Sequence, residues 1–151
     1  MHGLSVSYPG GWIVRAATEP WTDRPNDHEF IHPGIDVLHD PVLTDHLFLY
    51  MESRPIGDSA PGAWVAARMA DSDSCTSPEP TVVDGATGLI SGGCNMAVVT
   101  TDGRGYLIGL SASQDDPSAV AAYDRAWFEQ VLSTVKLHPK EAVDAAPSTS
   151  P

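Results

Sequence analysis

The stretch from Asp116 to Leu137, DPSAVAAYDRAWFEQVLSTVKL, constrains the fold more than any other. Apolar residues recur at Val120, Tyr123, Trp127, Val131 and Val135, and Phe128 and Leu132 widen the stripe. That is a helical period with one greasy face. Asp116 stands where an N-cap belongs and Pro117 suits the first helical position. The pattern predicts a long helix with Trp127 in the core. Such a face needs a sheet or a second helix opposite it.

The rest of the chain supplies strands. LSVSY alternates over Leu4 to Tyr8, and Pro9-Gly10-Gly11 turns it towards Trp12 to Arg15, which reads as an opening hairpin. Residues 16–45 are irregular, broken by Pro20, Pro25, Pro33 and Pro41, with Trp21 as the anchor. HLFLYMES, His46 to Ser53, is a strong strand. Pro61 opens a short surface helix through Ala70, with Trp64, Val65 and Arg68 at helical spacing. Asp84-Gly85 joins Thr81–Val83 to Thr87–Ile90 as a hairpin. Cys94 to Thr101 and Tyr106 to Ser111 form another around Asp102-Gly103-Arg104-Gly105. About seven strands joined mostly by hairpins, with two helices, predict an antiparallel α+β domain over residues 1–144. The tail from 145 to 151 is expected to fray.

Charge limits the partners. A net charge of −12 repels phosphate backbones and anionic membrane surfaces, so neither nucleic acid nor a lipid surface is expected. Cationic ligands, metal ions or a basic protein surface remain open, with solubility the stronger reading of the charge. No window approaches the roughly 18 apolar residues of a transmembrane span. The N-terminal MHGLSVSYPGGW lacks the features of a signal peptide. The expected location is cytoplasmic, or extracytoplasmic where a leader has been removed.

The candidate chemistry is sparse. Cys75 and Cys94 are the two cysteines, with no CxxC and no histidine close by in sequence. They form either a disulfide, closing a loop of about 20 residues worth roughly 3 kcal/mol, or two reduced and buried thiols. HEFIH, residues 28–32, satisfies a bare HExxH pattern, with His28 and His32 as metal ligands and Glu29 as the base for a bound water. That motif works within a helix, whereas Pro25 and Pro33 confine it here, so solvated loop histidines are the stronger reading. GxSxG, GxGxxG and GxxxxGK[ST] do not occur. The favoured binding feature is a groove beside residues 16–45, with Trp21 as its floor and Asp36, Asp40 and Asp45 on its surface.

SVSYPGGWIV, AATEPW, the Cys75 and Cys94 pair, GRGYLIGL and FEQVLSTVKLHPKEAVD together resemble bacterial PsbP-like domains, over roughly residues 4 to 144. That class is related in fold to a photosystem oxygen-evolving subunit and to a nuclear import factor that binds the Ran GTPase. The resemblance implies a three-layer α/β/α arrangement. It also implies an accessory or binding role with no shared catalytic set and no cofactor. Tyr8, Pro9, Trp12, Phe128, Leu132 and Leu137 match as scaffold. The expectation is a non-catalytic, protein-interacting domain, monomeric or weakly oligomeric. A metal-dependent hydrolase built on HEFIH is the alternative.

Overall fold

A computed structural model describes residues 2–21, 33–42, 47–71, 75–112 and 123–144. The strands are β1 (Leu4–Ser5), β2 (Ile13–Arg15), β3 (Asp36–His39), β4 (Leu47–Pro55), β5 (Pro78–Val83), β6 (Ala86–Ser91), β7 (Asn95–Thr101), β8 (Arg104–Ala112) and β9 (Lys136–Leu137). The helices are α1 (Pro61–Ala70) and α2 (Arg125–Thr134). A 3₁₀ turn over Pro139–Glu141 follows β9. Seven strands form one antiparallel sheet in the order β2-β3-β4-β8-β7-β6-β5, and β1 pairs with β9 separately. One helix packs on each face, which makes the α/β/α layering.

Side-chain alternation assigns each strand residue to a layer. Ala97 and Val99 of β7 and Tyr106 and Ile108 of β8 face α2, where they meet Leu49, Met51, Phe128, Val131 and Leu132. Val98 and Leu107, one residue out of step, face α1 and its Trp64, Val65 and Met69. Because β7 and β8 are covered on both faces, they are apolar almost throughout. α1 is therefore more than a surface helix: three of its side chains close the second core.

Both hairpins turn on two residues with positive φ, Asp84-Gly85 (49° and 83°) and Asp102-Gly103 (48° and 74°). These tight turns match the right-handed strand twist. The second hairpin is tighter than its sequence suggests, since Arg104 and Gly105 belong to β8.

The β5 turn also fixes which backbone groups face outwards. Val83 pairs with Ala86 across it, so Thr81 and Glu79 bond to β6, and Pro78, Pro80 and Val82 face the open edge. Two of these three outward positions lack an N–H. That blunts the edge against pairing with another strand.

Two expectations for the N-terminal part are corrected. LSVSY and Trp12–Arg15 do not form a hairpin: Leu4 pairs with Leu137, and Ile13–Arg15 pairs with β3. The intervening chain is tied elsewhere, since Ser7 N donates to Thr134 Oγ1 at 3.0 Å and Trp12 stacks on Trp127 at 5.5 Å. The irregular 16–45 segment contains a strand, β3, between β2 and β4.

The C-terminal helix has other limits than its periodicity suggests. Asp124 is extended and caps α2, its Oδ1 accepting from Trp127 N at 2.9 Å. Asp116 and Pro117 lie outside the described residues. At the other end Val135 returns to extended backbone, because β9 is held by strand pairing and by Asp84. Asp84 accepts from Leu137 N and from Lys136 Nζ, each at 2.9 Å. Those bonds, the backbone one foremost, hold the Asp84 carboxyl below its usual range.

The Cys75–Cys94 disulfide is formed. It joins the segment leading into β5 to the turn between β6 and β7. Ser91 Oγ reinforces that junction, donating to Thr76 O and accepting from the amides of Gly93 and Cys94.

Phe128, fully buried at 0% exposure, fills the core position expected of Trp127. Trp127 is half-buried at the rim, in an aromatic group with Trp12 and Tyr123. Phe128→Ala should therefore cost about 3–5 kcal/mol, and Trp127→Ala clearly less. Urea melts of both variants check the ranking, and equal losses would contradict it.

Candidate functional site

The site starts with spacing in β8. Gly105 and Gly109 are four residues apart, so both lie on the α1 face with Leu107 between them. A Cβ on Gly105 would collide with the Trp64 ring, and one on Gly109 with the Tyr50 ring. The two aromatic rings therefore lie directly on bare backbone.

β4 runs beside β8 and places Tyr50, Glu52 and Arg54 on the same face, opposite Gly109, Leu107 and Gly105. Glu52 is only 6% exposed. Burial pushes its carboxyl up to about 8, against the opposing pull of Arg68 on α1. Tyr50 is pushed up to about 12 by burial and then by the charge of Glu52. Arg68 Nη1 also pairs with Asp71 at 2.8 Å beyond the helix end.

Trp21 completes the cluster. The guanidinium carbons of Arg54 and Arg68 lie 4.9 and 4.7 Å from its ring centre. Arg54 is also 5.7 Å from the Trp64 ring. Such cation–π contacts are worth about 0.5–2 kcal/mol each, more where water is excluded. Beside this stack lies a hollow of about 290 Å³, lined by Pro20, Trp21, Ser53, Arg54, Pro55, Val143 and Asp144.

Both ends of the described chain cross behind the hollow. Ser53 N donates to His2 Nδ1 at 3.0 Å, and Ser53 Oγ donates to His2 O at 2.8 Å. Buried Arg104 donates to Ser53 Oγ at 3.0 Å and pairs with Asp144. Burial lowers the His2 pKa. This serine and histidine do not form a nucleophile–base pair. The hydroxyl proton goes to a backbone carbonyl, and the ring accepts from a backbone amide instead of the hydroxyl.

The described residues singled out from sequence sit on different elements. Trp21 lies on the α1 face. Asp36 Oδ1 accepts from Ala17 N at 2.6 Å and fixes the chain after β2. Asp40 works near α2, its Oδ1 accepting from Val42 N at 2.8 Å and its Oδ2 from the Tyr123 hydroxyl at 3.1 Å. Asp45, His28, His32 and Glu29 lie outside the described residues. Among the described residues no group of three or more His, Cys, Asp or Glu side chains is placed to hold a metal ion. No helix among them is long and apolar enough to cross a membrane.

Sequence reasoning missed Tyr50, Glu52, Arg54 and Arg68. One signal was present: YMESR puts Tyr, Glu and Arg at alternate positions, a polar stripe on one strand face. The GYLIG spacing supplied the other.

No family model matches the chain, and no curated protein matches it. Among solved structures, it is similar to the solution structure of cyanobacterial PsbP (CyanoP) from Synechocystis sp. PCC 6803. Identity is 20%, over 90% of this chain and 87% of that one, with a TM-score of 0.49. The similarity is distant, and it says nothing of activity or partner.

Glu52 makes stability depend on pH. Its folded pKa of about 8 exceeds the unfolded value of 4.5, so the folded state binds the extra proton. Its contribution is present in full below the unfolded value. It declines as pH rises and is lost through the folded value. Glu52→Gln should flatten the pH profile across this window and leave the variant more stable than wild type on the alkaline side. Urea melts across the window check this, and parallel profiles would contradict it.

Proposed function

We propose that the chain is a non-catalytic binding domain that engages a protein partner at the Trp21 surface. The observation that carries this reading is the Arg54–Trp21–Arg68 stack beside an open hollow. A large aromatic ring held by two neighbouring guanidinium groups loses little entropy when a partner packs against it. Tryptophan and arginine are also the residue types enriched in binding hot spots. The polar groups described around the hollow serve structural contacts: Ser53 holds His2, and Arg104 holds Asp144.

The overall charge adds a second selection. A field of net −12 steers basic partners inward, and salt weakens that attraction. The field acts at long range and the aromatic contact at short range. Approach is therefore expected to depend on salt more than the packed contact does.

Affinity capture from cell extract at low and high salt, with wild type and Trp21→Ala compared, tests the reading. Trp21→Ala should weaken recovery by roughly 30-fold, as expected for loss of a hot-spot tryptophan. Recovery of wild-type partners should fall as salt rises. Undiminished capture by the variant would remove the site, and turnover of a substrate by the pure domain would remove the non-catalytic assignment.

A further inference from the structure

The two edges of the large sheet are treated differently. At β5, two of three outward backbone positions are proline. The state of the β2 edge follows from register. Thr101 pairs with Arg104 across the two-residue turn, so they form a hydrogen-bonded pair, and bonding then alternates along each strand. Carried across the sheet, Gly109 bonds to Tyr50, Leu49 to Leu38, and His39 and Val37 to Ile13 and Arg15. Val14, between them, turns its N–H and C=O outwards. Neighbouring contacts agree with this phase. Ser53 N points to the β3 side and meets His2, and Ala17 N points inwards and meets Asp36. Among the described residues, Val14 makes no hydrogen bond outside the sheet.

The side chains at this edge are equally open. Ile13 lies on the α1 face and Val14 on the α2 face, and each is 49% exposed. Val42, three residues beyond β3, is 86% exposed. The β2 edge thus keeps both backbone groups at Val14, with an apolar side chain exposed on each face and no proline within the strand.

We infer that the β2 edge accepts an extended segment of a basic partner as an added strand, through the Val14 backbone and the Ile13 and Val14 side chains. Main-chain bonds and alternate side-chain contacts are the recognition chemistry of strand addition. Charge selects the occupant. A second copy of the chain would bring a second net charge of −12 to the junction, whereas a basic segment is attracted by the first. The inference rests on the reading of the chain as a binding domain, but it uses a different surface from Trp21.

The test uses a synthetic peptide that alternates valine and threonine between terminal lysine pairs, titrated against the full chain by calorimetry. It should bind more weakly as salt rises, and a glutamate-flanked version should not bind. N-methylation of the alternate peptide residues facing β2 removes their donors and should weaken binding roughly tenfold, the equivalent of one or two hydrogen bonds. That arm leaves the protein untouched, so misfolding cannot imitate it. Val14→Pro removes an N–H that bonds nothing within the sheet and should cause a similar loss, and Ile13→Thr a smaller one.

Equal binding of the N-methylated peptide, or of the glutamate-flanked one, would overturn the inference. So would failure of the lysine-flanked peptide to bind. Loss of binding in Trp21→Ala with full binding in Val14→Pro would place the peptide in the Trp21 hollow, overturning the edge site and leaving the binding-domain reading intact. A dimer of the protein alone, seen by sedimentation and dissolved by Val14→Pro, would make the second copy the occupant and overturn the basic partner.

Discussion

The contact on which the α1 side depends is that of two aromatic rings with the bare backbone of β8. Gly105 receives Trp64 and Gly109 receives Tyr50. A side chain at either glycine would lift the ring above it and open a gap, and protein interiors tolerate gaps of even a methylene poorly. With the rings down, α1 reaches the sheet, Leu107 is enclosed between them, and Glu52 is shut away from water. The glycines of β8 therefore fix the depth of the second core and the electrostatic character of the site beside it.

The opposite face has a different logic. There Phe128, Val131 and Leu132 bury apolar area against β4, β7 and β8, and the aromatic group of Trp12, Tyr123 and Trp127 seals the rim. The described ends of the chain are tied to each other and to the middle. β1 pairs with β9, His2 is held by Ser53, and Asp144 is held by Arg104. Ser53 lies near the end of β4 and Arg104 at the start of β8, next to the Arg54–Trp21 pair. One end of the central strand pair thus carries the clasp between the termini and the hollow proposed for binding.

The fold was largely legible where a single local rule decides. Asp84-Gly85 announces a tight hairpin, Asp102-Gly103-Arg104-Gly105 announces a second turn though a looser one than forms, and the apolar runs of β4, β7 and β8 announce buried strands. Pro61 opens α1 where expected. Pairing between distant segments was not legible. LSVSY alternates well enough for a strand, but nothing local says that its partner is Lys136–Leu137 and not the strand just beyond Gly11. β3 was hidden because its four residues, DVLH, lie amid prolines and acidic groups, and only tertiary pairing between β2 and β4 makes them a strand. The helix limit at Asp124 was obscured by an apolar period that continues upstream of the cap. For the site, Trp21 was recognisable as an anchor. Its arginine partners come from β4 and α1, and no spacing rule connects those positions. Asp36 and Asp40 look like surface acids in sequence, yet each accepts a backbone amide in the fold, and Asp40 a tyrosine hydroxyl as well.

The central claim is that bare backbone at β8 sets the burial of the α1-side site. An NMR titration of the Glu52 carboxyl in Gly109→Ala measures this directly. The added methyl must displace the Tyr50 ring, which should admit water beside Glu52 and bring its pKa down from about 8 towards the ordinary carboxylate range. A folded variant in which Glu52 still titrates at about 8 would contradict the account.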